Sequence, residues 1–460
     1  MMARISIAAL LLAPTLLHAR ETPPAGGAPQ PFNVPAKERF ALPNGLQATL
    51  IAFGHVPKVA VSVVVRAGNL DGKDQTWLAD IAGELMSEGT TTLDGSQLAR
   101  TAARMGGGIG VDVGADQTSI SADVLSEFGP ELVQLLADIT IAPRLPESEL
   151  PRVKQDFQRN LAIARTQPQA LAAEAFAAAM YGDHPYGRSY PTEEQLAGYS
   201  IEDVRHYHAA NFGAARAEVL VAGKFDAAAM RGAIERSFGQ WAHGPEPLVD
   251  IPTSAQTPQL RLLPRPEAPQ TTIYLGLPTI DPSQPDYTAL AVANTLLGGF
   301  FSSRITLNLR EEKGYTYSPS SRVASNYRSA SWLQTADVTT AVTGPALTEI
   351  FHEIDRLRNE PPSAEELERV KSYMTGTFVL GNASRGGLIA QIAFLELHGL
   401  PESYLSEYVT RVQAITPEQV RDAAKTYLVP SQMTLVAVGD LDVVKPQLEA
   451  VSELRGLLKE

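Results

Sequence analysis

Arg310 and Tyr317 lie within the stretch Leu296–Ser318, LLGGFFSSRITLNLREEKGYTYS, where residue types and spacing come closest to suggesting chemistry. A guanidinium carries several fixed N–H donors and a phenol carries one O–H. Brought together beside an exposed strand, the pair suits binding of a peptide carbonyl. A second use of each residue is equally simple. A cation in a last helical turn complements the helix dipole, worth about 0.3–1 kcal/mol, and a tyrosine is an ordinary strand aromatic. Residue chemistry alone leaves both readings open.

The elements that would position the pair are legible in the same stretch. Ser302 or Ser303 caps a helix, Phe301, Ile305 and Leu309 recur on one face, and Lys313-Gly314 closes the last turn. Tyr315 and Tyr317 then alternate as on a strand that begins at Tyr317. Earlier in the chain, the PNG of Phe40–Ala52 signals a hairpin and Lys58–Arg66 a valine-rich strand. Thr76–Glu88 reads as a helix with Leu78, Ile81, Ala82 and Leu85 on its apolar face. A helix from Asp94 or Ser96 to Met105, a strand pair in Gly110–Val124, and helices over Pro130–Ile139, Ser148–Arg165 and Leu171–Tyr181 follow.

A repeat organises these elements. SIEDVRHYHAANFGAARAEVLVAGKF (Ser200–Phe225) aligns without a gap on TPEQVRDAAKTYLVPSQMTLVAVGDL (Thr416–Leu441), since 416 − 200 and 439 − 223 both give 216. Both segments open on a Ser/Thr cap, share a Val-Arg pair and close on a strand ending in Gly223 or Gly439. Gly129-Pro130 and Gly344-Pro345, like Arg152-Val153-Lys154 and Arg369-Val370-Lys371, extend the match. The expected organisation is an α+β fold of two homologous domains with largely antiparallel sheets, residues 36–240 and 260–460, joined by the proline-rich linker 241–259. Residues 1–19 read as a signal peptide, with Arg4 before the apolar run Ile5–Leu17, and residues 20–35 as a disordered leader. Export, to the periplasm or beyond, is the expected destination.

The chain contains no cysteine, which excludes disulfides and thiolate zinc sites. Its formal net charge of −13 argues against nucleic acid and anionic membrane as partners, and no stretch suits a membrane span. His206 and His208 point in different directions on a helix, and His184 before Pro185 suits a backbone hydrogen bond. Gly106–Gly110 reads as a helix stop, since no Lys-Ser/Thr follows it.

The twofold repeat and the motif at Leu296–Ser318, with Gly298-Gly299, Ser303-Arg304, Leu309-Arg310-Glu311 and Gly314…Tyr317, resemble the pitrilysin/insulinase family of zinc peptidases, including its mitochondrial processing peptidase-like members. YGDHPYGR at Tyr181–Arg188 is similar to a second family segment. The resemblance implies a clam-shell half that encloses unfolded peptide together with a second half or subunit. It also implies an inverted zinc motif, H-x-x-E-H, on a first-half helix. Here that helix reads WLADIAGELMSEGT (Trp77–Thr90), so the three chemical positions hold Asp80, Gly83 and Glu84. No imidazole is there to bind zinc and no carboxylate stands at the general-base position. The later helix expected to give the last ligand, near Lys154–Arg165, has no glutamate. Helical spacing puts Asp80, Gly83 and Glu84 opposite the apolar face, as a solvated acidic surface rather than a metal site shared with Asp156.

The resemblance therefore implies a zinc-free subunit, without a cofactor of its own and inactive alone. Its expected partner is a homologous H-x-x-E-H chain that holds the zinc, and its expected substrate is a peptide or unfolded polypeptide. Arg310 and Tyr317 would act in trans on the scissile peptide, with Gly298, Gly299, Phe300 and Phe301 guiding substrate. The alternative is a pseudo-peptidase that serves as an assembly scaffold or peptide-binding protein.

Overall fold

The computed structural model describes residues 27, 30–252 and 257–459. The expected signal peptide lies outside the described residues, as does much of the expected leader. Of that leader, Phe32 and Val34 pack onto the domain, with the Phe32 ring edge-on to Phe378 at 5.1 Å.

The first half is built on β1 (Lys37–Ala41), β2 (Gln47–Ala52), β3 (Lys58–Val65), β4 (Ile109–Val113), β5 (Thr118–Leu125) and β6 (Ala217–Gly223), in the order β1-β2-β6-β3-β5-β4. The second uses β7 (Leu260–Pro264), β8 (Gln270–Thr279), β9 (Ser320–Asn326), β10 (Ser329–Thr339) and β11 (Thr434–Gly439), in the order β7-β11-β8-β10-β9. Removing β1 leaves two sheets of identical topology. Each has one parallel pair, β2 with β6 and β7 with β11, and is otherwise antiparallel. The sequence repeat is thus a structural duplication, and the α+β assignment holds. The aligned caps fold alike: Ser200 pairs with Asp203 and Thr416 with Gln419 in reciprocal capping boxes.

The apolar residues decide which helices cover which sheet. Leu78, Ile81, Ala82 and Leu85 enter the first core with Leu132, Leu136, Met230 and Phe238. Leu290, Leu347, Ile350, Phe351 and Val444 form the equivalent second core. The opposite faces are covered by exchange. The helix Pro168–Tyr181 of the first half places Ala172, Phe176 and Met180 on Leu333, Val436 and Val438 of the second sheet. Its counterpart Arg385–His398 places Leu388, Ile389 and Ile392 on Ile51, Val64 and Leu220 of the first. Each of the larger side chains among them stabilises by about 1.5–3 kcal/mol on burial. Polar contacts reinforce the exchange, with Arg385 donating to Asp123 Oδ2 at 2.7 and 3.0 Å and Gln169 to Asp337 Oδ2 at 3.0 Å.

The linker begins docked rather than free. Trp241 is buried beside Phe238, and Ala214 and Ala215 donate backbone bonds to Ala242 and His243. No single helix among the described residues is long and apolar enough to cross a membrane.

Candidate functional site

The second-half motif folds differently from one continuous α-helix. The helix Tyr287–Asn294 runs on as π-helix over Thr295–Gly299. After a break at Phe300–Ser303, a short α turn, Arg304–Thr306, widens into π-helix over Leu307–Glu312. Ser303 stands at the cap with extended backbone, but its hydroxyl donates to Thr306 Oγ1 at 2.9 Å and makes no capping bond. Lys313 N–H reaches Asn308 O at 3.0 Å, Gly314 turns with φ +66°, and Tyr315 N–H returns to Leu309 O at 2.8 Å. Glycine meets that positive φ without a Cβ clash. Wide π turns of this kind recur at functional sites.

Two expectations are corrected. Ile305 and Leu309 are fully buried, whereas Phe301 is 64 % exposed and leaves the core face. The strand begins at Ser320 rather than Tyr317, because Pro319 has no N–H for the ladder. Residues 315–319 form a loop that touches β10 through Thr316, whose hydroxyl donates to Asp337 O at 2.7 Å.

Those departures create the site. The Arg310 guanidinium lies 4.5 Å from the ring centroids of both Phe301 and Tyr317, clamped between two aromatic faces. Its Nε pairs with Glu311 at 3.1 Å, and its terminal nitrogens have no acceptor among the described residues. Tyr317 is 76 % exposed. Arg310 and Tyr317 open on a pocket of about 260 Å³ whose floor includes Gly298, Gly299 and Phe300. Gly298 is there for close approach: a Cβ would stand 2.5 Å from Ser321 Oγ and 2.8 Å from Gln334 Oε1. Phe300, while lining the pocket, also packs on Tyr373 with ring centroids 5.1 Å apart. All six expected residues therefore meet at one place, with Phe301 and Tyr317 presented to solvent.

The support beneath this pocket was not foreseen. Arg304 is buried and forks onto Glu366 Oε1 and Oε2 at 3.0 and 3.1 Å. Burial alone would raise the Glu366 carboxyl, but bonds from Arg304 and Ser363 hold it down at about 2. Asn308 donates to Glu349 and Glu353 at 3.0 Å each, and Lys313 pairs with Glu349 at 3.1 Å. Ser303-Arg304 belongs to the motif, and Arg304 ties the short helix to Ala364–Gly381. Acidic residues in the neighbouring helices were the available signal, without a way to pair them.

On the first-half helix, Leu78–Met86, the expected acidic face is only partly solvated. Glu84 is exposed and Asp80 half-buried, while Gly83 is buried under β4. A Cβ at Gly83 would stand 2.5 Å from Val113 Cγ2 and 3.5 Å from Val111 Cγ1. Helical spacing could not show that a strand edge folds over this side of the helix. Asp156 is engaged by Arg152 and Arg159, at 3.3 and 2.9 Å. Among the described residues no group of three or more His, Asp or Glu is arranged to hold a metal. The histidines make local bonds: His208 Nε2 to Thr140 O at 2.9 Å, and Tyr186 N–H to His184 Nδ1 at 3.2 Å.

Two family models match the two halves, "Insulinase (Peptidase family M16)" over residues 52–192 and "Peptidase M16 inactive domain" over 199–374. The chain belongs to the M16, or insulinase, peptidase family. Relatives include an uncharacterized zinc protease YmxG of Bacillus subtilis, 25 % identical, covering 84 % of this chain and 95 % of its own. Another is the non-peptidase homolog YmxG of Helicobacter pylori, 21 % identical over 86 % of this chain and 96 % of its own. The crystal structure of a peptidase M16 inactive domain from Pseudomonas fluorescens shares the fold with a TM-score of 0.81, at 21 % identity, covering 88 % of this chain and 98 % of that one. Within this family the chain is an inactive, peptidase-like member. Asp80, Gly83 and Glu84 stand where the resemblance puts the motif, and a Cβ at Gly83 would force Val113 to shift.

Proposed function

We propose that this M16 chain is the zinc-free subunit of an exported two-subunit peptidase, supplying Arg310 and Tyr317 to a peptide held against a homologous H-x-x-E-H chain. The observation that carries the reading is the clamped arginine. Its charge is fixed between Phe301 and Tyr317, its terminal N–H groups are free of described acceptors, and it fronts an open pocket. Such a preorganised donor suits a carbonyl oxygen and suits it better as that oxygen gains charge, which is worth about 3 kcal/mol in a water-poor site. The Tyr317 hydroxyl offers a second donor. The attacking hydroxide is the partner's contribution. Phe301 and the Gly298–Gly299 floor hold the chain of the substrate by apolar and backbone contact.

A structural or assembly role is the competing reading, and the pair of donors speaks for the peptidase subunit because Tyr317 is exposed beside a half-buried Arg310 whose terminal nitrogens have no described acceptor. The test is purification of this chain alone and with an H-x-x-E-H homologue from the same genome, followed by peptide-cleavage and zinc assays. Cleavage only by the pair, with zinc in the partner, is expected. Zinc-dependent cleavage by the single chain, or a stable pair whose turnover ignores this subunit, contradicts the proposal.

A further inference from the structure

The face of the first sheet turned away from Leu78–Met86 carries an open groove of about 470 Å³. It runs between β3, β5 and the glycines Gly108 and Gly110 on one side and the helix Arg385–His398 on the other. Alternation along β3 sets the sides. Val59, Val61 and Val63 enter the core with Leu78, whereas Ala60 and Val64 pack toward the exchanged helix, with Ser62 between them. The groove shares no residue with the Arg310 pocket.

The second half fills the same place with its own side chains. Leu220 of β6 and Val436 of β11 match at the repeat offset and pair with Ser62 and Tyr274. One strand further out, Val64 pairs with Ser119 in the first sheet and Gly276 with Leu333 in the second. Ser62 and Ser119 therefore stand where the second half has Tyr274 and Leu333. Ala393 likewise holds the helix position of Phe176. Phe176, Tyr274 and Leu333 pack as one cluster, with the two rings 6.3 Å apart. Val64 in place of Gly276 restores only part of the volume that the two serines and Ala393 give up. Protein interiors hold few voids larger than a water molecule, and a groove of this size is in the range of small-molecule sites, roughly 300–1,000 Å³.

The lining decides the kind of occupant. Asp123 closes one end, but its charge is met by Arg385 at 2.7 Å and Lys58 at 3.2 Å, so the groove offers no free charge. The Ser62 and Ser119 hydroxyls lie 3.3 Å apart and share one hydrogen bond. The side chains of Ser121 and Gln117 have no partner among the described residues. Val64, Ile389 and Ala393 supply the apolar wall. We propose that this groove binds a small neutral aromatic alcohol of the phenol type. Its ring takes the space that Tyr274 and Leu333 fill in the other half, and its hydroxyl joins the serine row. A buried ring with a satisfied hydroxyl is what Tyr274 itself would supply here.

Ligand-observed NMR titration of the full chain with phenol and with toluene, nearly isosteric but without the hydroxyl, tests it. Phenol is expected to bind at least 5-fold more tightly than toluene. Ser119→Leu copies the second half, and Ala390→Leu narrows the groove from the exposed side of the helix, where leucine is a good helix former. Each is expected to weaken phenol at least 10-fold while the thermal transition stays cooperative. Toluene binding as tightly as phenol overturns the proposal. So does phenol binding that survives both substitutions, or no phenol signal at about 10 mM, some ten times a 1 mM Kd.

Discussion

The first helices of the two halves, Leu78–Met86 and Tyr287–Asn294, start equivalent domains and end in opposite ways. In the first half the helix is closed over. β4 brings Val113 against Gly83, so a side chain at that position, where the resemblance would put a carboxylate, meets the strand. In the second half the chain runs on into π turns, breaks at Phe300–Ser303 and leaves Arg310 open between two aromatic rings. The duplicated scaffold leaves Arg310 open in one half and packs Gly83 against a strand in the other. The lesson is that loss of chemistry here is a packing event as well as a change of residues. Three substitutions back to the motif would not by themselves restore the site.

The largest expected effect breaks the closed half. Gly83→Glu drives a side chain into Val113 and buries a charge, so it should cost at least 3 kcal/mol of unfolding free energy, roughly the upper end for overpacking. Urea denaturation checks this, and Val113→Ala should recover part of the loss. The triple change Asp80→His, Gly83→Glu and Glu84→His should bind zinc, measured by competition with a chelator, only with that second-site relief.

Next comes the support of the open half. Arg304→Met leaves Glu366 with its Ser363 bonds but no cation and should cost about 2–3 kcal/mol. Because Glu366 is held at about 2, below its ordinary 4.5, its contribution is present above about pH 4.5 and is lost as pH falls through about 2. The variant should therefore lose less stability on acidification over that window than the parent does, as read from urea midpoints at each pH.

The closed half has the opposite pH signature. Glu218 on β6 is raised to about 7 by burial, with Thr49 Oγ1 donating to it at 2.7 Å as a partial offset. The folded state holds its proton more tightly than the unfolded chain, so stability is full below about 4.5 and falls as pH rises through about 7. Glu218→Gln should raise stability by on the order of 1–3 kcal/mol at pH 8 and change little at pH 4. Thermal melts at the two pH values decide it.

The smallest effect on stability belongs to Tyr317→Phe. An exposed hydroxyl at the pocket rim should be worth less than about 0.5 kcal/mol to folding, so any loss of activity reports on function.

The sequence made much of this architecture legible. Apolar periodicity placed Leu78–Leu85 in the core, the PNG and capping signals placed the first hairpin and the helix starts, and the repeat foretold two sheets of one topology. What escaped it was set by tertiary geometry. No periodicity reveals π turns, because Phe301, Ile305 and Leu309 fit an α-helix equally well. Gly83 was read as facing solvent because the strand that covers it comes from another element. The six residues of the candidate site were named from the motif, yet their convergence depends on Pro319 ending the ladder and on Arg304 and Asn308 finding acids in distant helices.

The most direct test of the half-site account is turnover by the assembled pair carrying Arg310→Ala, at a subunit concentration where size-exclusion chromatography shows the pair intact. The account predicts a fall in kcat of about 10²–10³ with assembly unchanged. An unaltered kcat in an intact pair would contradict it.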